Sequence, residues 1–98
     1  MLVRTEKISR LIKKLAAEFL SKEADRTSII TITRANISKD LKNATIYLTI
    51  YPQASEKSAL NFAKRKRTEF KKYARKKIRM KRIPSFDFDI DTEKNIIY

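Results

Sequence analysis

The sequence predicts an α+β fold, a two-layer sandwich with its elements in the order α-β-β-α-α-β. Three observations predict it. A stretch near the N-terminus repeats its apolar residues at helical spacing. Two Ile/Thr-rich stretches read as strands joined by a short polar loop. A second helical pattern then runs toward a proline that is followed by alternating Phe and Asp.

The first element is an amphipathic helix from about Thr5 to Lys22. Ile8, Leu11, Ile12, Leu15, Ala16, Phe19 and Leu20 form the stripe of a helix with one buried face. Arg4, Lys7, Arg10, Lys13 and Lys14 fall mostly off it, and Thr5-Glu6 suits a helix start. Residues 23–27, EADRT, are a polar connection. The stretch SIITITRANI, 28–37, is rich in residues that favour half-buried, pleated positions. After the loop SKDLKN, the stretch NATIYLTIYP sends Ala44, Ile46, Leu48 and Ile50 to one face and Thr45, Tyr47, Thr49 and Tyr51 to the other. The two strands read as an antiparallel hairpin, and Pro52 ends the second.

Ser55 is placed to cap the next helix, with Glu56 in its first turn. Leu60, Ala63, Phe70, Tyr73, Ala74 and Ile78 keep helical spacing, but Lys66 and Arg67 fall where the stripe should continue. Two helices meeting near residues 66–68 avoid turning that charge into the core, and Pro84 is expected to stop the second. The stretch PSFDFDID is a third strand, with Phe86, Phe88 and Ile90 facing the core and Asp87, Asp89 and Asp91 facing out. The last residues, TEKNIIY, are compatible with one more turn.

Composition narrows the function. The 98 residues suit a single domain over 1–98, and 42% of them are hydrophobic, which is enough for one core. With no Cys and no His, disulfides, zinc sites, thiol nucleophiles and imidazole bases are excluded together. With no Gly, so are the phosphate-cradling glycine loops. No enzymatic constellation, cofactor site or small-molecule substrate site is expected. No apolar run approaches a membrane span, and the N-terminus is too charged for the apolar core of a signal peptide, so a cytoplasmic protein is expected.

The formal net charge is +13, and from Lys64 to Arg82 there are twelve Lys or Arg against the single acid Glu69. A solvated helix face ordinarily mixes the two signs for i, i+4 support. A one-sign array destabilises the folded chain unless an anionic partner offsets the repulsion. DNA, RNA and anionic lipid all satisfy that chemistry. Lipid would call for bulky apolar residues beside the charge, and these are committed to the core. Neither a helix-turn-helix nor a zipper pattern is present for DNA, so RNA recognised by shape and phosphate contact fits best. The candidate RNA-binding residues are Lys64, Arg65, Lys66, Arg67, Lys71, Lys72, Arg75, Lys76, Arg79, Lys81 and Arg82, joined by Lys13 and Lys14 of the first helix.

Two stretches carry a resemblance. In TSIITITRANISKDLKNATIYLTIYP the pairs Ile37-Ser38 and Asp40-Leu41, then Ala44 and Ile46-Tyr47, fall as in bacterial ribosome-binding factor A. In KIRMKRIPSFDFDID a basic-apolar alternation through Arg79 and Met80 runs into Pro84, Phe88 and Asp91, again as in that family. The resemblance spans nearly the whole chain. It implies a fold similar to a type II KH domain, with a three-stranded mixed sheet. It also implies a monomeric, non-catalytic assembly factor that binds the small (30S) ribosomal subunit and its 16S rRNA during late maturation, with no membrane involved. The alternative is a structural nucleic-acid-binding protein, either an integral ribosomal protein or a DNA-coating protein. The chain departs from the family at the Ala-x-Gly kink between its second and third helices. That Gly falls on Thr68 with the Ala on Lys66, or on Arg65 with the Ala on Ala63, so the bend is expected to be shallower or capped by Thr68. Family members usually continue beyond the position of Tyr98, which implies a minimal member or a truncated chain.

Other patterns are weaker. Asp87-x-Asp89-x-Asp91 resembles a cation ligand run, but the intervening Phe88 and Ile90 mark a strand, and its acids are expected to face away from RNA. Tyr47 and Tyr51 share a strand face and could stack bases, yet the RNP pattern that would accompany them is missing. Ser38 and Asp40 read as turn formers.

Overall fold

The computed structural model describes residues 4–23 and 28–92. The polar connection over 24–27 and the C-terminal turn beyond Thr92 lie outside the described residues. Helix α1 spans Arg4–Glu23, and strands β1 (Ile29–Ile37) and β2 (Asn43–Tyr51) follow it. A short 3₁₀ turn, Gln53–Ser55, leads to helices α2 (Glu56–Arg65) and α3 (Arg67–Lys77) and then to strand β3 (Ser85–Ile90). The sheet order is β1-β2-β3, with β1 antiparallel and β3 parallel to β2. The long connection permits the parallel pair, since a crossover carrying helices is what returns the chain in the same direction. This is the mixed sheet and KH-like order that the resemblance implies.

All three helices cover one sheet face. Ile12, Leu20, Ile46, Leu48, Phe70 and Phe88 are its fully buried large side chains, together with Pro84. Phe70 is the hub. Its ring centroid lies 4.7 Å from Phe86, 5.4 Å from Phe19 and 5.9 Å from Phe88. One side chain of α3 is thereby tied to α1 and to β3 through tilted and edge-on ring contacts, the geometry that aromatic quadrupoles favour.

The hairpin is regular except at one point. The pairing Ile32↔Leu48 is followed by Arg34↔Tyr47, so Thr33 is the extra residue of a bulge. A strict period of two would have turned Arg34 into the core. The bulge resets the alternation so that Ala35 and Ile37 pack inward opposite Ile46 and Ala44. Arg34 then lies over the Tyr47 ring, 4.0 Å from its centroid, on the open face of the sheet.

Four expectations are corrected. Ser55 occupies the N-cap position of α2, but its hydroxyl makes no capping bond, because the preceding 3₁₀ turn leaves it at ψ 0° instead of extended. The bend between α2 and α3 is not capped by Thr68, which lies inside α3. It is made at Lys66, whose φ −92° and ψ 5° are open to any residue, so no glycine is needed. Helix α3 does not run to Pro84. Its last bond is from the Ile78 N–H to the Ala74 carbonyl, and Ile78 is already extended. The Ile78-x-Met80 alternation suits an extended connector, half-buried against the core, better than it suits another helical turn. Finally, Asp91 does not face out. It is 5% exposed and accepts a 2.5 Å bond from the Thr33 hydroxyl. The Arg34 Nε lies 3.6 Å from the same carboxylate. The bulge therefore supplies two partners of this acid.

Candidate nucleic-acid interface

Helix α3 carries the array because its two faces differ completely. Phe70 and Ala74 are fully buried and Tyr73 is half-buried, while Lys72, Arg75, Lys76 and Lys77 are exposed. Burial at four-residue spacing leaves Lys72, Arg75 and Lys76 projecting from the opposite side of the helix. Lys71 is half-buried on its flank. Lys77 bends back instead, its ammonium 5.4 Å from the Tyr73 ring centroid.

The extended connector continues the array with a different geometry. Arg79, Lys81 and Arg82 are exposed, whereas Met80 and Ile83 pack against the core edge and Pro84 is buried. Arg79 was expected on the helical face and lies instead on this connector, so the cations form a helical patch followed by an extended strip.

Around the Lys66 bend, Lys64, Lys66 and Arg67 are engaged. Lys66 Nζ lies 3.3 Å from Glu23 Oε1 and 3.5 Å from Glu69 Oε2. The hydrogen bond to Glu23 is the main reason its ammonium titrates above the ordinary lysine value. Lys64 Nζ and Arg67 Nη1 each donate to Asp87 Oδ1 at 3.1 Å. Burial alone would raise the Asp87 carboxyl, but the bonds from Lys64, the Phe88 N–H and Arg67 outweigh it and hold the group below the usual carboxylate range. Arg65, the remaining cation of α2's last turn, is exposed and makes no ion pair with a described acid. Sequence reasoning treated residues 64–67 as equivalent to those of α3. Glu23 and Asp87 distinguish them, and neither acid is near in sequence.

On α1, Lys13 and Lys14 are both exposed. Glu18 marks the side turned toward α3, since its Oε1 accepts a 3.4 Å bond from the Tyr73 hydroxyl. At about 100° per residue, Lys14 lies roughly 40° from Glu18 and Lys13 roughly 140° away. Lys14 therefore lies on the flank of α1 that faces α3, and Lys13 lies on the far flank.

The other sheet face offers less. The three aspartates separate, with Asp87 going to Lys64 and Arg67, Asp91 to Thr33 and Arg34, and Asp89 to its own strand through the Ile90 N–H at 2.8 Å. Among the described residues, no three acidic side chains gather as a metal would require. The Tyr47 ring is covered by Arg34, while Tyr51 pairs across the hairpin with exposed Ile29. Among the described residues no helix is long and apolar enough to cross a membrane.

Ser38 and Asp40 do form the turn between β1 and β2. The Ser38 hydroxyl donates to Asp40 Oδ1 at 2.6 Å, and the Lys42 N–H donates to the same oxygen at 3.0 Å. These bonds hold the Asp40 carboxyl below its ordinary value. They also hold Leu41 at φ 62°, a left-handed conformation that costs a residue with a Cβ about 1–3 kcal/mol. Asn or Gly would remove that strain.

Comparison with known proteins agrees with the fold. The family model described as ribosome-binding factor A matches residues 4–96. The ribosome-binding factor A of Geotalea uraniireducens is 31% identical over 100% of this chain and 83% of its own length. The crystal structure of ribosome-binding factor A from Thermus thermophilus superposes with a TM-score of 0.77 at 22% identity, covering 90% of this chain and 97% of that one. A Thermus thermophilus homology model, fitted into a cryo-EM map of a 30S complex of that factor, gives a TM-score of 0.75 at 21% identity, covering 87% and 92%. With the family match running from the first helix past the third strand, the chain belongs to the ribosome-binding factor A family.

Proposed function

We propose that this protein is a non-catalytic assembly factor that binds the small ribosomal subunit in the cytoplasm, as a monomer, and contacts 16S rRNA during late maturation. The observation that carries the reading is a rigid one-sign array on a chain of this family. Lys72, Arg75 and Lys76 stand out from α3, and Arg79, Lys81 and Arg82 continue along the connector, with no ion pair to a described acid. A helix locked through Phe70 presents Lys72, Arg75 and Lys76 at set spacing, so the backbone part of the ordering cost is met on folding instead of on binding. The likeness to a protein fitted on a 30S particle supports the same partner. Lys64, Lys66 and Arg67, held by acids, act mainly by shaping the bend, while Arg65, Lys71 and Lys14 extend the patch. Lys13 contributes least.

The test combines sedimentation with salt titration. The protein is expected on free, immature small subunits. Presence on finished, joined ribosomes would favour the integral-protein reading, and presence on the nucleoid the DNA-coating one. Replacing Lys71, Lys72, Arg75 and Lys76 with Ala should weaken subunit binding strongly and flatten its dependence on salt, since each lost phosphate contact removes about one unit of slope. Unchanged affinity across salt concentrations would rule out this surface.

A further inference from the structure

The β1–β2 turn and the α3–β3 connector enclose a cleft of about 480 Å³, open to solvent on one side. This volume falls within the ordinary range for a small-ligand site. Its apolar walls are Leu41 from the turn and Met80 and Ile83 from the connector, and Lys42, Lys81 and Arg82 stand around it. The turn is rigid: Ser38 and Asn43 bond through the backbone at 2.8 Å, and the Ser85 N–H bonds the Lys42 carbonyl at 2.9 Å. The second wall is therefore tied to the first where β3 begins.

Two observations suggest what the cleft takes. Leu41 holds an apolar side chain at the cleft wall from a backbone conformation that disfavours it. The surrounding charge is also continuous with the strip that begins at Arg79. A slot with apolar walls and a cationic margin matches a flat heteroaromatic ring carrying phosphates. A duplex cannot present that ring, because its bases are stacked and paired inside. Asp40, ionised and beside Leu41, turns phosphates toward the opposite side and can accept from a base N–H.

We propose that this cleft receives one unstacked base of single-stranded RNA between Leu41, Met80 and Ile83, with its neighbouring phosphates on Lys42, Lys81 and Arg82. The inference deepens the RNA-binding reading and rests on it. The α3 patch then supplies affinity for any phosphate backbone, and the cleft supplies a preference for an unpaired nucleotide beside it.

Three probes test it on the full chain: hexa-adenylate, an abasic ribose-phosphate strand of equal length, and a blunt RNA duplex. The only methionines are Met1 and Met80, so the Met80 methyl is a readily assigned NMR reporter at the cleft wall. Hexa-adenylate should shift that resonance upfield by the ring current of the inserted base, and the abasic strand should not. Leu41→Asn relieves the backbone strain while removing the apolar wall. It should weaken hexa-adenylate binding about tenfold and leave duplex binding unchanged, the scale of one lost base-stacking contact. Equal affinity for the abasic strand with a stationary Met80 resonance overturns the cleft assignment alone, provided duplex and subunit still bind. Loss of all nucleic-acid binding in the native chain overturns the RNA reading with it. Should Leu41→Asn fail to fold, the Met80 shift in the native chain decides.

Discussion

Phe70→Ala tests whether the cationic face depends on a packed scaffold. The ring is fully buried and is flanked by Phe19, Phe86 and Phe88 at centroid distances of 5.4, 4.7 and 5.9 Å. Truncating a buried Phe to Ala costs about 3–5 kcal/mol, more where the surroundings cannot collapse into the space. Here the neighbouring rings come from α1 and β3, whose positions are set by separate backbone connections, so the upper half of that range applies. A domain of this size has roughly 5–15 kcal/mol in reserve, and each kcal/mol moves its melting point by about 4–8 °C. A fall of at least about 15 °C is expected by circular dichroism, with amide exchange accelerating first along 67–77. Subunit binding should be lost in parallel, although no charge has been removed. Phe70→Leu, which keeps most of the volume, should recover much of both. If Phe70→Ala melts within about 5 °C of the native chain, the hub assignment is wrong and the basic helix is held by something else.

Other outcomes follow from particular contacts. Ile46→Asp puts an unpaired charge at a fully buried position of the central strand, so thermal melting should show no cooperative transition at room temperature and above. Asp87→Asn should release Lys64 and Arg67. Stability should change by less than about 1 kcal/mol for so exposed a pair, while RNA affinity rises and its salt slope steepens by about one to two units in filter binding. The carboxyls of Asp87 and Asp40 are both held below their ordinary values, so their contribution is complete above the unfolded value of about 4 and is lost as pH falls through the folded ones. Melting temperature should therefore be insensitive to these groups near neutrality and decline below about pH 4, with a smaller acid decline in Asp87→Asn.

Much of the fold was legible in the chain because neighbours in sequence decide it. The stripe through Ile12, Ala16 and Phe19, the alternation of Ala44 to Tyr51 and the Phe/Asp strand each follow from period alone, and the structure keeps them within a residue or two. The bend near 66–68 was also readable, because a continuous helix would have carried Lys66 and Arg67 inward. The bulge at Thr33 had a signal that simple alternation overlooks. Ile30, Ile32, Ala35 and Ile37 step by two, three and two, and Arg34 is kept out of the core only if one residue is extra. The end of α3 was misplaced because Ile78 satisfies both the helical stripe and the extended run that follows it.

By itself, the amino-acid order determined the elements, their buried faces, the charge density of 64–82 and the absence of thiol, imidazole and glycine-loop chemistry. Only the tertiary structure decided which cations remain available. Glu23 reaches Lys66 and Asp87 reaches Lys64 and Arg67 across long stretches of chain, whereas Lys72, Arg75 and Lys76 meet no such acid among the described residues. It also decided that Leu41, Met80 and Ile83 face one cleft and that Asp91 turns inward to Thr33. The reason is physical: periodicity reports which side of an element is buried, but an ion pair or a cleft is set by how separate elements are laid against one another.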